Sequence, residues 1–170
     1  MASSFPDAMN RAGILSPARE STKVRYSKVY QQNSHRIYSL AFWMTDNELL
    51  AEELASRTFL RAFSGAGAPG VDEIDEAFLA EARGYTTIGT LTLNAVVGPE
   101  TRGIRGNVKR VHMERAVVQL PATERLIFLL HDVEGYAHEK IGTLLGLTEQ
   151  ESQLGLHQAR ISIREALARM

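Results

Sequence analysis

The stretch AVVQLPATERLIFLLHDVEGYAHEKIGTLLGLTEQESQLGLHQARISIREAL, residues 116–167, decides the fold of this chain. Pro121 stands where a helix can begin without losing a needed amide hydrogen bond, and Glu124 in the first turn suits the helix dipole. Apolar residues then keep helical spacing until Gly135. The stretch therefore opens with an amphipathic helix that buries one face against its neighbours.

Two further helices follow in the order of a helix-turn-helix. A short helix predicted over residues 137–145 ends at Gly146, which supplies the sharp turn. Thr148 and Glu151 form a capping box at the start of a long final helix, the candidate recognition helix. The predicted apolar face of that helix consists of Leu154, Leu156, Ala159, Ile163 and Leu167. Periodicity alone is also compatible with a three-helix bundle that binds nothing.

The residue identities favour the first interpretation, because they resemble the C-terminal domain of extracytoplasmic-function sigma factors of the sigma-70 superfamily. That family's pattern runs Leu-Pro, Arg, an apolar run, Glu-Gly-Tyr, Glu-Ile-Ala, Leu-Gly, a capping residue and an Arg-rich helix. The resemblance implies that the final helix addresses an upstream promoter element. The matching residues are Leu120, Pro121, Arg125, Glu134, Gly135, Tyr136, Glu139, Ile141, Leu145, Gly146, Thr148, Leu156, His157, Ala159 and Arg160.

The resemblance implies a DNA-binding surface on the second helix, its turn and the final helix. Gln side chains can read adenine edges, and Lys and Arg neutralise phosphates. We expect base contacts from the middle of this set and phosphate contacts from its cations. The candidate DNA-binding residues are Tyr136, His138, Lys140, Thr148, Gln150, Gln153, Leu154, His157, Gln158, Arg160 and Arg164.

The charge of the recognition helix departs from the family pattern. Glu149 and Glu151 stand where DNA would approach, and several of the family's usual cations are replaced. Residues 110–170 hold seven Lys and Arg against eight Asp and Glu, so this domain has no basic footprint. We therefore expect weakened DNA binding. A free-standing helix-turn-helix repressor would need the basic recognition helix that is missing.

The N-terminal half resembles the same family in a second segment. A helix is predicted over residues 24–44, and Asp46 is predicted to cap a second helix that runs to Gly65. The residues matching the family's polymerase-docking helix pair are Ala51, Glu52, Glu53, Leu54, Thr58, Phe59, Leu60, Arg61 and Ala62. The resemblance implies polymerase contacts by Glu52, Glu53, Ser56 and Thr58, although adjacent glutamates more commonly form a solvated face.

The resemblance stops after Phe63. Residues 64–97 hold no Trp and one cation, Arg83, whereas single strands are normally held by aromatic stacking with cationic support. Promoter melting is therefore the activity that the sequence supports least. We predict a short helix over residues 71–83 capped by Asp72, while residues 85–97 are compatible with a strand or an irregular helix.

Chain length and the break near residues 98–99 favour two small helical domains on a linker, and the resemblance implies an all-α fold and the identities of the two domains. The predicted parts are a mobile tail at 1–22, a polymerase-binding domain at 23–97, a linker at 98–109 and a helix-turn-helix domain at 110–170. The net charge of −1 at pH 7 gives no strong field toward nucleic acid. The chain lacks cysteine, a signal-peptide core and any apolar run of membrane-spanning length, so we expect a cytoplasmic protein without membrane insertion.

No motif predicts an enzyme. Residues 64–67 are Gly-rich but lack the Gly-Lys-Ser/Thr ending of a phosphate loop. His131, His138 and Glu139 lack the spacing of a metal site. We expect no catalytic residue, metal or cofactor. The predicted function is that of a sigma factor, and its candidate partners are core RNA polymerase, promoter DNA and an anti-sigma factor. The alternative is a divergent regulator or decoy that binds polymerase or a partner protein without opening promoters.

Overall fold

The structure is a computed structural model and describes residues 17–93 and 108–170, with side chains from residue 21 onward. Within these ranges all regular structure is helical, so the prediction of an all-α fold is confirmed. The helices are α1 (Pro17–Thr45), α2 (Glu48–Ala62), α3 (Val71–Ala82), α4 (Arg110–Val118), α5 (Ala122–Phe128), α6 (His138–Leu145) and α7 (Glu149–Arg169). A π-helical turn, Leu129–Val133, prolongs α5.

The turn between α1 and α2 differs from the prediction in its capping residue. Asn47, rather than Asp46, caps α2, because its side-chain oxygen accepts a hydrogen bond from the Leu50 amide at 3.0 Å. Asp46 forms the turn itself, with a left-handed φ of 50° that Asp tolerates. Helix α1 begins at Pro17, inside the segment predicted as a tail; residues 1–16 lie outside the described part.

The cap of α3 also differs from the prediction. Gly70 precedes the helix, and its amide donates to the Glu73 carboxylate at 2.9 Å, so Asp72 lies within the first turn instead of capping it. After α3 the chain continues to residue 93 in turns and irregular backbone, neither a strand nor a helix. Residues 94–97, the remainder of that predicted segment, are not among those described.

The helix-turn-helix forms as predicted from its local signals. Gly146 ends α6 with φ of 75°, a conformation that favours glycine. The capping box is confirmed: the Glu151 carboxylate accepts from the Thr148 amide at 2.7 Å, and the Glu151 amide donates to the Thr148 hydroxyl at 3.1 Å. The predicted apolar face of α7 is wrong at Leu154, which is 46% exposed.

The two halves pack against each other and share one continuous apolar core. Residues 86–93, which we call the strap, run from α3 across the C-terminal half. The amides of Thr92 and Leu93 donate to the buried Glu124 carboxylate at 2.5 and 2.7 Å. A Cβ at Gly155 would lie 2.8 Å from the Leu91 side chain, so this glycine leaves the room that Leu91 occupies. The strap therefore ties α3 to α5 and α7.

Candidate functional site

The first half of α7 presents an exposed ridge made of Gln150, Gln153, Leu154 and His157. These positions recur at spacings of three and four residues, which places them on one side of a helix. The opposite side of α7 is buried against α5 and α6 through Ser152, Leu156 and Ala159. The ridge therefore unites four candidate base-contacting residues on a rigid, capped helix.

Gln158 does not belong to this ridge. Its side chain is 6% exposed, because position 158 lies one turn from Gly155 on the buried side of α7. The sequence pattern did not separate it from its exposed neighbours, since a buried polar residue interrupts the apolar stripe. Arg164 lies further along α7 and is exposed, as expected for a phosphate contact.

Two cations predicted to contact phosphates are engaged by carboxylates. The guanidinium of Arg160 donates to both oxygens of Asp132 at 3.1 and 2.7 Å. Burial disfavours ionisation of Asp132, but hydrogen bonds from Arg160 and His131 prevail and lower its pKa. The ammonium of Lys140 lies 2.8 Å from Asp72 of α3. Both cations would have to exchange these partners to reach a phosphate.

His138 is the first residue of α6, and its side chain points toward α7 rather than lying on the ridge. Its ring stacks on His131 with a centroid separation of 4.4 Å, and its Nδ1 lies 3.0 Å from the hydroxyl of the buried Ser152. Burial lowers the pKa of His138, and the neighbouring His131 acts in the same direction. A neutral His138 therefore ties the two helices of the helix-turn-helix together. No group of His, Cys, Asp and Glu suited to a metal ion occurs among residues 17–93 and 108–170.

Tyr136 belongs to a polar network that joins the two halves. Its hydroxyl donates to Asp75 at 2.6 Å, and Arg36 of α1 pairs with the same carboxylate at 2.8 Å. Burial and the hydrogen bond to Asp75 raise the pKa of Tyr136 far above its usual value. Sequence reasoning missed Arg36 and Asp75, because their partner lies in the other half; a buried acid in an otherwise apolar stripe of α3 was the available signal.

A second candidate surface lies on the outer face of α2. Glu52, Glu53 and Ser56 are exposed, as expected for docking residues. Leu49 and Leu60 flank them and are 77% and 73% exposed. The sequence reasoning named neither leucine as a polymerase contact, although Leu60 matches the family's docking motif and the spacing of three helical turns places both on the face of Glu53 and Ser56.

Thr58 faces the other way from this α2 surface. It is fully buried, and its hydroxyl donates to the Leu54 carbonyl at 2.8 Å within the helix. Its side chain therefore packs in the core and is not available for docking.

The segment between the halves offers little for stacking nucleic-acid bases. Of its two aromatic residues within 64–93, Phe78 is 2% exposed in the core and Tyr85 is 37% exposed. Arg83, the one cation of this segment, donates to the Leu144 carbonyl at 3.3 Å. The described part of this segment therefore serves packing between the halves.

Helices long and apolar enough to cross a bilayer do not occur in the described ranges. Comparison with known proteins finds similarity to sigma factors. Residues 110–163 match the family model described as sigma-70, region 4. The chain is 25% identical over 162 residues to the ECF RNA polymerase sigma factor SigE of Mycolicibacterium smegmatis, covering 85% of this chain and 62% of that protein. It therefore spans less than two thirds of that relative.

A solved structure shows the same fold. The sigma factor RpoE from Bartonella quintana, determined in complex with the anti-sigma factor NepR, superposes with a TM-score of 0.58 at 14% identity. The superposition covers 84% of this chain and 96% of RpoE. Similarity at this identity shows the fold alone.

Proposed function

We propose that this chain, whose residues 110–163 match sigma-70 region 4 and whose sequence is similar to an ECF sigma factor, is a sigma factor that directs core RNA polymerase to promoters. The exposed ridge of α7, held by a capping box within the helix-turn-helix, is the observation that carries this proposal. In this role the ridge of α7 binds DNA and α2 binds polymerase. The polymerase supplies the chemistry, and the reaction takes place in the cytoplasm.

The ridge supports base reading more than charge-driven attraction. Gln150 and Gln153 carry amides that can pair with adenine edges, and Leu154 can contact a thymine methyl group. Phosphate contacts fix orientation and supply most of the salt-dependent affinity. With Lys140 and Arg160 paired to carboxylates, affinity for free DNA should be low. Polymerase would then provide the remaining hold on the promoter.

The outer face of α2 is the proposed polymerase surface. Exposed apolar side chains rimmed by polar ones mark protein interaction sites. Leu49 and Leu60 supply apolar contacts at the two ends of this face, and Glu52, Glu53 and Ser56 supply polar groups between them. We therefore assign polymerase binding to this face and DNA addressing to residues 110–170.

A regulator or decoy is the second candidate function. The burial of Phe78 and the hydrogen bond of Arg83 to the Leu144 carbonyl favour this function. An engaged aromatic ring and an engaged cation are not available to bind a melted DNA strand. An anti-sigma factor is a further proposed partner. A cleft of about 620 Å³ between α1 and α4 combines the aromatic Tyr38, Phe42 and Trp43 with the charged Arg110, Glu114 and Arg115, and such a partner can cover it.

The test is capture of bacterial core RNA polymerase by the purified chain, followed by run-off transcription from a fragment library. Leu60→Gln should weaken capture on the order of tenfold, as expected for loss of one apolar contact of the interface. Val24→Gln removes a side chain that is 63% exposed on α1 and should leave capture unchanged.

Three results distinguish the candidates. Transcripts that share an upstream sequence establish a sigma factor. Capture without transcription establishes the regulator or decoy. Failure of the wild-type chain to capture polymerase refutes the proposed role of α2.

A further inference from the structure

We infer that the cleft between α1 and α4 is a binding site for a small planar aromatic anion. Its volume of about 620 Å³ lies within the range typical of small-molecule sites. The inference goes beyond the proposed function, because such binding needs neither polymerase nor DNA. Two features of the lining define the ligand: a wall of aromatic rings, and an arginine whose guanidinium has no partner.

The aromatic wall belongs to the last turns of α1. Tyr38 and Phe42 are one helical turn apart, and their rings are stacked with centroids 6.5 Å apart. Trp43 lines the same cleft, and all three side chains are partly exposed. Aromatic rings attract other flat rings in offset-stacked and edge-to-face arrangements. A ligand that fits this wall should therefore be planar and aromatic.

Arg115 of α4 supplies the charge complementarity. It lines the cleft and is exposed, and its guanidinium makes no hydrogen bond or ion pair within the described part of the chain. Arg110, the other arginine of the cleft, is already paired with Glu114 at 2.6 Å. A guanidinium presents parallel N–H donors that suit the oxygens of a carboxylate, sulfonate or phosphate. Arg115 therefore adds an anionic group to the description of the ligand.

A partly buried arginine holds the two walls of the cleft in place. The guanidinium of Arg125 donates to the carbonyls of Trp43 and Met44 at the end of α1, at 3.0 and 3.2 Å. It also donates to the carbonyls of Val118 and Leu120 at the end of α4. Because Trp43 and Val118 both line the cleft, one side chain joins its two sides. A preformed site of this kind binds a ligand without first ordering its own walls.

The charges around the cleft favour a small ligand over a nucleic-acid strand. Between residues 21 and 45, α1 carries four Lys and Arg and no Asp or Glu, so this wall attracts anions. The cleft also contains the carboxylates of Asp46 and Glu114, which repel a continuous row of phosphates. Lys28 lies about 15 Å along the helix from Tyr38, too far to contact a ligand that fills the cleft. A ligand with one anionic group at Arg115 fits this pattern.

The test uses a matched pair of fluorescent probes. Anilinonaphthalene sulfonate is an aromatic anion, and phenylnaphthylamine has the same rings without the charge. Trp43 is the only tryptophan of the chain, so its fluorescence reports binding at the cleft directly. Titrations followed by quenching of Trp43 and energy transfer to the probe should show about tenfold tighter binding of the anion, as expected for one charge-assisted hydrogen bond.

Two substitutions separate the effect of the charge from that of the rings. Arg115→Gln should abolish the preference for the anion and leave binding of the neutral probe unchanged. Tyr38→Leu should weaken binding of both probes about threefold, because it removes a ring and keeps an apolar side chain. Lys23→Gln is the control, since it removes an exposed cation of α1 about four helical turns before Tyr38. This control should bind both probes like the wild type.

Competition against the bound sulfonate distinguishes the sources of such a ligand. Displacement by AMP identifies a nucleotide, and displacement by naphthoate but not by AMP identifies an aromatic carboxylic acid. Displacement by neither overturns the ligand class.

The probe titrations can also contradict the site itself. Equal affinities of the two probes for the wild type, or an unchanged preference for the anion in Arg115→Gln, overturn the inference. Tighter binding of a single-stranded oligonucleotide than of AMP, lost in Arg115→Gln, overturns it in favour of a nucleic-acid strand.

Discussion

Replacing Glu149 with Lys should make the recognition helix a stronger and more salt-sensitive DNA binder. Glu149 is exposed in the first turn of α7, and its carboxylate accepts a hydrogen bond from the ridge residue Gln153 at 3.3 Å. A negative charge at this position repels phosphates approaching the ridge. Glu151 is a poorer target, because its carboxylate accepts from both the amide and the hydroxyl of Thr148, which lowers its pKa.

The size of the effect follows from counterion release. One added phosphate contact changes the slope of log affinity against log salt by about 0.9. Over a fourfold rise in salt, that slope reduces the advantage of Glu149→Lys over the wild type by about 3.5-fold. A cation in the first turn of a helix costs about 0.3–1 kcal/mol. Glu151→Lys would instead lose the capping box, at about 1 kcal/mol.

The assay is fluorescence anisotropy of a labelled random-sequence duplex at low and fourfold higher salt. Glu76→Lys on α3 is the control, because it makes the same charge change on an exposed residue away from the ridge. Equal gains and equal salt slopes for Glu149→Lys and Glu76→Lys would show that the start of α7 does not face DNA. That result would refute the assignment of the ridge.

Three further predictions concern stability and its pH dependence. Glu124→Ala should lower the free energy of unfolding, measured by urea denaturation, by about 2–4 kcal/mol. The reason is that the amides of Thr92 and Leu93 in the strap lose the carboxylate that accepts their hydrogen bonds. Glu124→Gln keeps an acceptor oxygen and should lose less. Gly142→Ala should lower the melting temperature despite the better helix propensity of Ala, because its Cβ would lie 2.7 Å from the Leu147 carbonyl oxygen; the overpacking is worth about 1–3 kcal/mol. Burial lowers the pKa of His138 from its usual 6.5, so the imidazole binds a proton more readily in the unfolded chain than in the folded one. The free energy of unfolding should therefore fall as the pH drops below about 6.5. Denaturation of His138→Gln at several pH values should show a smaller decrease than the wild type.

The sequence by itself determined the local architecture of the helix-turn-helix. The glycine that ends α6 and the capping box of α7 were predicted and are present. These features depend on hydrogen bonds and spacings within about one helical turn, so adjacent residues specify them. Matches to the family's motifs extended this local information to the fold as a whole.

Predictions failed where a residue's environment came from another element. Thr58 and Gln158 have polar side chains suited to binding, yet both are buried by the packing of their helices. The N-cap of α2 is Asn47, one residue after the predicted Asp46, because Asp46 occupies the left-handed position of the turn before the cap. Residue type alone does not distinguish such positions.

Only the tertiary structure decided which charges neutralise one another. Lys140 and Asp72 are separated by 68 residues in the chain and meet at 2.8 Å, and Arg160 meets Asp132 across the helix-turn-helix. Helical periodicity specifies which residues share a face but not which face of another helix lies opposite. The packing of α3 on α6 makes that choice for Lys140, and it determines whether this cation of the helix-turn-helix is free or held.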